Sequence, residues 1–263
     1  MKVFKYSNAE IKEKKLLIEA LKIDINKNNV ISFVGGGGKT TLIYKLGQEL
    51  KELGKKVIIT TTTQMFMSED NFVITGKKDD IIELLQQKNM ITVGLLNNNE
   101  VKVRENLEDF KQKDSIKISG LPKELAESLK EIADFVLVEA DGAKRLPLKM
   151  PADYEPVILE GSNLVVGVCG IDAVGKKIKD ICHRVSLVST FLDKDEEHII
   201  NVYDVAKILS SNKGQRKGVE CSYQIVINKV DTIKELEYAK NISKELSDFG
   251  IKETVITTFK DRF

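Results

Sequence analysis

The run Val30-Ile31-Ser32-Phe33-Val34 leads directly into Gly35-Gly36-Gly37-Gly38-Lys39-Thr40-Thr41, and this stretch decides the fold. The apolar run predicts a buried strand, and the spacing of apolar residues over 42–53 predicts a helix after the glycines. Strand, glycine-rich turn and helix in this order are typical of a phosphate loop, because successive backbone N–H groups point into one concavity at the positive end of the helix. The stretch therefore predicts a site for a nucleoside triphosphate.

The residues after the glycines have distinct expected roles. The lysine of such a loop reaches the β- and γ-phosphates, and the hydroxyl that follows it is a ligand of Mg²⁺. We therefore expect Lys39 to be catalytic, Thr40 to hold the metal, and the whole of Gly35–Thr41 to bind nucleotide. The loop is shorter than usual, because Phe33 occupies the position six residues before the lysine where a glycine is common. This spacing resembles the loop of the Mur ligase and folylpolyglutamate synthetase ATPases.

Length and composition exclude several classes of protein. A chain of 263 residues can bury a large core, so we expect a single P-loop NTPase domain over 1–263. The net charge of +1 provides no general basic field for nucleic acid. Apolar runs are too short to cross a bilayer, the first residues lack the apolar core of a signal peptide, and three cysteines suit a reducing compartment. We expect a cytoplasmic location, with neither nucleic acid nor membrane as a partner.

Strand and helix patterns alternate along the chain and predict an α/β fold with a mainly parallel sheet flanked by helices. An amphipathic helix is predicted over 8–23, before the first strand. The stretch 71–120 is less regular and predicts a small β-rich insertion, with a turn at 97–99 and a strand at 101–103. Further strands are predicted at 57–59, 135–139, 164–168, 224–227 and 255–258, and further helices at 80–87, 122–133 and 232–246.

Two carboxylates end the buried strand predicted at 135–139. Glu139 is its last residue, and Asp141 and Gly142 follow. Ligands of open α/β sheets bind beyond the carboxyl ends of the strands, where carboxylates hold Mg²⁺ or orient an attacking water. We expect both to be catalytic and favour Asp141 as the metal ligand and Glu139 as the water-positioning group. The reverse assignment remains open.

Cations follow the same strand end. Lys144, Arg145 and Lys149 predict recognition of phosphate or another anionic substrate, although a solvated loop explains them equally well. Thr61 and Thr62 end the strand next to the phosphate-loop strand, and their hydroxyls are candidates for contact with the γ-phosphate or a substrate.

His183 and Arg184 are further candidates for substrate binding. They follow Cys182, and a Cys-His pair can bind a soft metal. With two histidines and no CxxC motif in the chain, the ligands for such a site are too few. An ordinary packing role for Cys182 is therefore the better interpretation.

The segment Asn228-Lys229-Val230-Asp231 lies between a predicted strand and a predicted helix and fits guanine. Asp231 can accept from both N1–H and the exocyclic amine of guanine, a pair of donors that adenine does not offer. The stem of Lys229 can lie along the base, and Asn228 can tie the loop back. This segment favours GTP, whereas the short phosphate loop favours ATP. Both nucleotides remain candidate substrates.

Together these segments resemble the YqeC family, described as selenium-dependent hydroxylase accessory proteins. The resemblance covers most of the chain from about residue 20 and implies a role in the maturation of selenium-dependent molybdenum hydroxylases. A looser resemblance links the strand-end glutamate and the Asn-Lys-x-Asp segment to the nickel-insertion GTPases of urease and hydrogenase. The matching segments are Val34–Thr41, Thr60–Thr63, Val138–Gly142, Pro147–Lys149 with Pro151, Gly170–Gly175, His183–Arg184 and Asn228–Asp231.

Three hypotheses about function follow. The first is a Mg²⁺-dependent NTPase that couples hydrolysis of GTP or ATP to assembly of a selenium or molybdenum cofactor, with a molybdenum hydroxylase or its cofactor-assembly proteins as partners. The second is an ATP-dependent ligase or kinase that acts on a small anionic acceptor held by Lys144, Arg145 and Lys149. The third is a nucleotide-dependent binding switch with negligible turnover.

Overall fold

The structure, a computed structural model, describes residues 1–27, 29–66, 71–96 and 117–259. Ten strands form a central sheet, and five short strands form two small sheets. The strands are β1 (Lys2–Ser7), β2 (Glu10–Lys14), β3 (Asn29–Gly35), β4 (Val57–Thr61), β5 (Gln64–Phe66), β6 (Phe72–Val73), β7 (Met90–Val93), β8 (Leu95–Leu96), β9 (Lys117–Ser119), β10 (Phe135–Glu139), β11 (Leu148–Lys149), β12 (Leu164–Gly170), β13 (Cys182–His183), β14 (Ser222–Asn228) and β15 (Glu253–Thr258). The helices are α1 (Leu17–Ala20), α2 (Lys39–Glu52), α3 (Lys78–Gln87), α4 (Lys123–Ser128), α5 (Ile178–Ile181), α6 (Val185–Leu192), α7 (Val202–Ser210) and α8 (Ile233–Asp248).

The central sheet has the order β2-β1-β15-β14-β12-β3-β10-β4-β7-β6, and the eight strands from β15 to β6 run parallel. Helices cover both faces, which is why β10 is buried along its whole length. Leu137 of this strand packs with Leu46 of α2 on one face, and Val136 packs with Ile81 of α3 on the other. The prediction of an α/β fold with a mainly parallel sheet is confirmed.

The predicted helix over 8–23 is wrong. Strands β1 and β2 form an antiparallel hairpin that extends the sheet beyond β15, and only α1 is helical. Strand β15 would otherwise present an open edge, and pairing with β1 satisfies its backbone groups. Alternate residues of β1 enter opposite core clusters, Val3 on one face and Tyr6 on the other. Lys5 is buried as well. Its charge is compensated there, because its ammonium lies 3.0 Å from the Glu253 carboxylate and 2.7 Å from the Ala20 carbonyl oxygen.

The region predicted as an insertion over 71–120 is divided between two sheets. Strands β6 and β7, with α3 between them, belong to the central sheet. Strands β8 and β9 instead pair with β5 in a small antiparallel sheet. Because β5 follows the carboxyl end of β4, this small sheet adjoins the edge where ligands bind in α/β folds. The turn at 97–99 and the strand at 101–103 lie outside the described residues, and the insertion stays a prediction.

The segment between β12 and β14 contains three helices that the sequence analysis did not predict. Helix α7 begins with a capping box in which Asn201 and Asp204 each accept from the other's backbone N–H. Strand β13 pairs with β11 in a two-stranded parallel sheet. None of the helices in the described part of the chain has the length and apolar character that crossing a bilayer requires.

Candidate functional site

The glycine loop joins β3 to α2 at the carboxyl edge of the central sheet. Gly37 has a φ of 76°, and a Cβ at this position would lie 2.0 Å from the backbone nitrogen of Gly170. The loop therefore lies directly against the end of β12. Only glycine allows both this approach and this backbone conformation.

The loop is fixed by hydrogen bonds from its own backbone. The N–H of Gly36 donates to the Val168 carbonyl at 2.9 Å, and the N–H of Gly37 donates to the Leu146 carbonyl at 3.0 Å. Helix α2 begins at Lys39, and its N-cap, Gly38, has no side chain to cap the first turn. N–H groups of a first helical turn have no intrahelical acceptor, so those of α2 are the donors that an anion would meet.

The Lys39 ammonium lies under this loop, with the residue only 4% exposed. It donates to the Gly35 carbonyl at 2.5 Å and lies 3.0 Å from Asp141 Oδ1 and 3.8 Å from Glu139 Oε1. Burial disfavours the charge of Lys39, but attraction to the two carboxylates outweighs it and raises the pKa of the ammonium. Lys39 is therefore positively charged and already paired within the protein.

The Asp141 carboxylate is enclosed by donors. It accepts from the Gly35 N–H at 3.1 Å and 3.0 Å through its two oxygens, and it contacts Lys39 and the Lys149 ammonium, the latter at 3.1 Å. This placement differs from the expectation that Asp141 binds the metal, because these donors and the burial of the side chain separate it from the cleft. Asp141 holds the phosphate loop and positions Lys39.

Glu139 and Thr40 form the pair of oxygen groups that faces the cleft. The Thr40 hydroxyl donates to Glu139 Oε2 at 2.6 Å, and both residues line the cleft. Burial raises the pKa of Glu139 above its usual range, and attraction to Lys39 opposes that rise. A carboxylate and a hydroxyl are the hard oxygen ligands that Mg²⁺ uses. The described residues contain no group of three or more acidic, histidine or cysteine side chains placed to hold a metal ion.

A cleft of about 550 Å³ opens above the loop. Its walls come from the glycine loop and the first turn of α2, from the end of β10 and the segment after it, from β5 and β9, and from the residue that follows β14. Among the described residues, Glu139 is its single carboxylate and five lining residues are cationic. The lining residues are Gly36, Gly37, Gly38, Lys39, Thr40, Thr41, Gln64, Met65, Lys117, Glu139, Gly142, Ala143, Lys144, Arg145 and Lys229.

Two of the predicted cations, Lys144 and Arg145, occupy the centre of a tight turn at the rim of this cleft. Their φ angles are 49° and 63°, and the Leu146 N–H closes the turn on the Ala143 carbonyl at 2.9 Å. Positive φ at both central residues is typical of a type I′ turn, where glycine and asparagine are usual. We call Ala143–Leu146 the basic turn. The structure brings it to the phosphate loop, because the Leu146 carbonyl is the acceptor for Gly37.

Lys149 lies elsewhere than predicted. It is fully buried on β11, where its three N–H bonds are matched by Gly142 O at 2.7 Å, Glu155 Oε2 at 2.9 Å and Asp141. The expectation that Lys149 holds an anionic substrate does not agree with this placement, because the ammonium has no donor left for a ligand. The sequence analysis missed Glu155, which no motif marks.

Arg184 is engaged by the same glutamate. Its guanidinium contacts both oxygens of Glu155 at 3.0 Å and stacks over the ring of Tyr154, 5.4 Å from the ring centre. His183 lies on β13, with Nδ1 buried and unpartnered among the described residues, and burial lowers the pKa of its imidazole. Neither residue lines the cleft. Burial raises the pKa of the neighbouring Cys182 thiol to about 12, which suits an unreactive packing cysteine.

Thr61, the last residue of β4, and Thr62, which follows it, stabilise the end of the strand instead of lining the cleft. The Thr61 hydroxyl donates to the Glu139 carbonyl at 2.8 Å, and the Thr62 hydroxyl donates to the Val157 carbonyl at 2.7 Å. Gln64 and Met65, which the sequence analysis did not select, line the cleft on this side. No sequence motif marks these two residues. They reach the cleft because the turn after β4 brings β5, to which they belong, to this edge of the sheet.

The Asn228–Asp231 segment begins at the end of β14 and contacts the phosphate loop. Asn228 donates from Nδ2 to the Gly37 carbonyl at 2.8 Å, so it ties the two loops together as expected. Lys229 lines the cleft, with its ammonium 2.9 Å from Asp172 Oδ2. Asp231 accepts through Oδ1 from the Thr258 hydroxyl at 2.7 Å and the Phe259 N–H at 3.1 Å. Its carboxylate is thus held by these two donors, and Asp231 is not among the residues that line the cleft.

Comparison with known proteins identifies the family. A family model described as YqeC protein matches residues 31–186. The uncharacterized protein YqeC of Escherichia coli strain K12 is 29% identical over 206 residues, which cover 76% of this chain and 76% of that protein. Among solved structures, the MinD cell division protein of Aquifex aeolicus aligns with 83% of this chain and 78% of its own, at a TM-score of 0.37 and 15% identity. The family match spans more than half of the chain and includes both the glycine loop and the carboxylates at the end of β10, so this chain belongs to the YqeC protein family.

Proposed function

We propose that this protein is a Mg²⁺-dependent nucleoside triphosphatase that prefers GTP to ATP. One observation carries the proposal: Lys39 begins α2 directly behind a glycine loop and lies beside the Thr40–Glu139 pair at the base of a cleft rich in cations. A charged lysine, open helical N–H groups and an oxygen pair suited to Mg²⁺ are the parts that bind a triphosphate.

Binding of the triphosphate changes the partners of Lys39. In the structure its ammonium is held by Asp141 and the Gly35 carbonyl. The phosphates replace part of this pairing, while Asp141 keeps its contacts with the Gly35 N–H and Lys149. The loop therefore retains its shape when Lys39 moves toward the nucleotide.

The Thr40 hydroxyl and the Glu139 carboxylate would hold Mg²⁺ against the phosphates. When bound, the ion neutralises charge on the phosphate oxygens and orients them. This assigns the metal to Glu139 and leaves Asp141 as a positioning residue, the reverse of the preference drawn from the sequence.

Base selection is assigned to the Asn228–Asp231 segment. Asn228 fixes this segment to the phosphate loop, and Lys229 lines the cleft at the same end. Asp231 is held by Thr258 and Phe259 and would accept the paired donors of guanine. The preference for GTP rests on this arrangement.

The biological role that we propose is that of an accessory factor. The motifs shared with the YqeC family support a part in assembling or inserting a selenium or molybdenum cofactor in a hydroxylase. The partner would be the hydroxylase or one of its cofactor-assembly proteins, and the location cytoplasmic.

Calorimetry with Mg²⁺-GTP and Mg²⁺-ATP tests the proposal, with Lys39→Ala as the decisive variant. We expect triphosphate affinity to fall at least about tenfold, because a buried charge-assisted contact to phosphate is lost. Since Lys39 also neutralises Asp141, we expect the variant to be less stable by about 1–3 kcal/mol. Lys45→Ala, on the same helix, is the matched control and should bind as the wild type does. Equal nucleotide affinity in folded Lys39→Ala would refute the assignment.

The basic turn also favours a second function, that of an ATP-dependent ligase or kinase acting on a small anionic acceptor. Lys144 and Arg145 place two cations beside the phosphate loop, where an acceptor would be held. Incubation with nucleotide and candidate acceptors separates the two functions, because a ligase or kinase forms a conjugated or phosphorylated product and a triphosphatase releases phosphate alone.

A further inference from the structure

The end of β12 lies between the two segments that the proposed function assigns to the nucleotide. In the sheet, β12 stands between β14, which ends at the proposed base-selecting segment, and β3, which leads into the phosphate loop. The three strands are parallel, so their carboxyl ends meet at one edge of the sheet, with neighbouring strands about 4.8 Å apart. A nucleotide with its base after β14 and its phosphates after β3 therefore places its sugar over the end of β12.

A single 3₁₀ turn, Ile171–Ala173, follows β12 and presents one charged side chain. Ile171 and Ala173 are buried in the core, whereas Asp172 between them is exposed. The Val174 N–H closes the turn on the Ile171 carbonyl at 3.0 Å. The two buried neighbours and this hydrogen bond fix the backbone of Asp172 before any ligand binds.

The Asp172 carboxylate lies beside two residues that line the cleft. Its Oδ2 lies 2.9 Å from the Lys229 ammonium. A Cβ at Gly170 would lie 2.2 Å from Asp172 Oδ1 and 3.3 Å from the Gly37 Cα, so the carboxylate is close to the phosphate loop as well. Asp172 is not itself among the lining residues, but Lys229 and Gly37 are. The carboxylate therefore lies at the border of the cleft, next to both of them.

This carboxylate can still accept hydrogen bonds from a ligand. The Asp172 side chain is 44% exposed, and Lys229 is its one ionic partner in the part of the chain that the structure describes. Two carboxylate oxygens offer about four lone-pair positions, and a single ammonium N–H uses one of them. Glycine at position 170 leaves room beside Oδ1, since a Cβ there would collide with that oxygen.

We propose that Asp172 binds the ribose of the nucleotide, with its carboxylate accepting hydrogen bonds from the 2′- and 3′-hydroxyls. Acidic side chains recognise ribose hydroxyls by the same chemistry in dinucleotide-binding folds. This inference rests on the proposed function, because it takes the nucleotide to lie across the ends of β14, β12 and β3. It deepens that function by making the site selective for ribonucleotides over deoxyribonucleotides, with Lys229 holding Oδ2 in place.

Displacement titrations on the full chain test this contact. The ligands are non-hydrolysable analogues of GTP and ATP, and the 2′,3′-dideoxy form of each, all with Mg²⁺. We expect the wild type to bind the ribose form about tenfold or more tightly than the dideoxy form, because the dideoxy form leaves the carboxylate without its hydroxyl donors. Using both bases measures the sugar contact independently of the preference for guanine.

Asp172→Ala decides whether the carboxylate is responsible for this selectivity. The variant should fold, since Asp172 is exposed and its pair with Lys229 lies near the surface. We expect the advantage of the ribose form to fall to about threefold or less, because neither form can then make the contact. Asp180→Ala is the matched control, since Asp180 is an exposed aspartate of α5 outside the cleft lining, and it should keep the full selectivity.

Each outcome separates the ribose contact from the proposed function. A wild type that binds none of the four analogues would refute both. A wild type that binds the ribose and dideoxy forms equally tightly would refute only the ribose contact. Asp172→Ala that loses affinity for both forms alike would also refute it, because Asp172 would then act only by holding Lys229. An equal loss of selectivity in Asp180→Ala would have the same consequence, since the effect would then come from net charge.

Discussion

Two carboxylates separated by one alanine acquire different environments in this protein. Asp141 is surrounded by the Gly35 N–H, Lys39 and Lys149, whereas Glu139 meets the Thr40 hydroxyl at the surface of the cleft. An acid already paired with two ammonium groups is a poor metal ligand, because binding an ion would displace those partners. Under the proposed function, this difference gives Asp141 the role of positioning the loop and Glu139 the role of metal ligand.

The pair of adjacent threonines provides a matched test of the metal site. Thr40→Val keeps the shape of the side chain but removes the hydroxyl that contacts Glu139, whereas the Thr41 hydroxyl has no such contact. We expect Thr40→Val to raise the Mg²⁺ concentration needed for half-maximal hydrolysis about tenfold or more, and Thr41→Val to have a much smaller effect. The measurement is phosphate release as a function of Mg²⁺ concentration. An equal Mg²⁺ requirement in the two variants would contradict the assignment.

Asp231 is the residue that tests base selection. Asp231→Asn replaces one acceptor oxygen with a donor, so the paired hydrogen bonds to guanine can no longer form. We expect GTP affinity to fall about tenfold or more while xanthosine triphosphate, whose position 2 offers an acceptor, gains. Competition titrations with GTP, ATP and xanthosine triphosphate measure this shift. If the wild type prefers ATP and the variant is indifferent to the base, the guanine assignment is wrong.

At the scale of the element, the phosphate loop is stabilised by neighbouring segments as much as by its own sequence. Its N–H groups donate to β12 and to the basic turn, and Asn228 at the end of β14 donates to it in return. Three separate segments therefore fix the loop before any ligand binds. Such preorganisation reduces the ordering that binding would otherwise require.

Two glycines of the site allow a direct comparison of steric demand. In Gly37→Ala the new Cβ would lie 2.0 Å from the Gly170 backbone at a φ of 76°, whereas nothing lies within 4 Å of a Cβ at Gly142. We expect Gly37→Ala to lower the free energy of unfolding by about 2–4 kcal/mol. Gly142→Ala should leave it unchanged or slightly higher. Urea denaturation of both variants measures the difference, and similar stabilities would contradict the close approach of the loop to β12.

At the scale of the whole molecule, a chain of ion pairs links the phosphate loop to the surface. It runs from Lys39 through Asp141, Lys149 and Glu155 to Arg184. The last of these stacks on Tyr154, which is 72% exposed. Segments far apart in sequence are thereby joined around buried charges, and removing one member leaves its partners uncompensated.

Glu155 makes this chain of ion pairs measurable as a pH dependence. Although burial opposes its charge, hydrogen bonds from Arg184 and Lys149 lower its pKa from 4.5 to about 2. Because the pKa of Glu155 is lower in the folded protein than its ordinary value of 4.5, its ionised carboxylate stabilises the fold at pH values above 4.5. This stabilisation is lost as the pH falls from 4.5 toward 2. We expect Glu155→Gln to be about 2–4 kcal/mol less stable at neutral pH, with the gap to the wild type narrowing below pH 4.5.

Urea denaturation of the wild type and Glu155→Gln between neutral pH and about pH 3 measures this gap. Glu160→Gln is the control, because Glu160 is an exposed carboxylate whose pair with Lys123 lies on the surface. A gap that stays constant over the whole range would show that the charge of Glu155 does not contribute to stability.

The N-terminal region shows why part of the fold could not be predicted from the sequence. The charges and apolar residues over 8–23 match a helical period, yet β1 and β2 form because β15 offers an open edge for pairing. Likewise, Lys149 follows a strand end among other cations and resembles a surface residue. Its burial depends on Asp141, Gly142 and Glu155, and the position of Glu155 is set by the fold rather than by a motif.

The sequence by itself determined the α/β class, the parallel strands around the glycine loop, and the residue types of the phosphate site, because these follow from local period, glycine content and the order of strand, loop and helix. Only the tertiary structure decided which carboxylate faces the cleft, which cations line it and which are buried, and how the N-terminal hairpin completes the sheet. These outcomes depend on contacts between segments distant in the chain, and the burial and charge of a side chain are set by those contacts rather than by its neighbours in sequence.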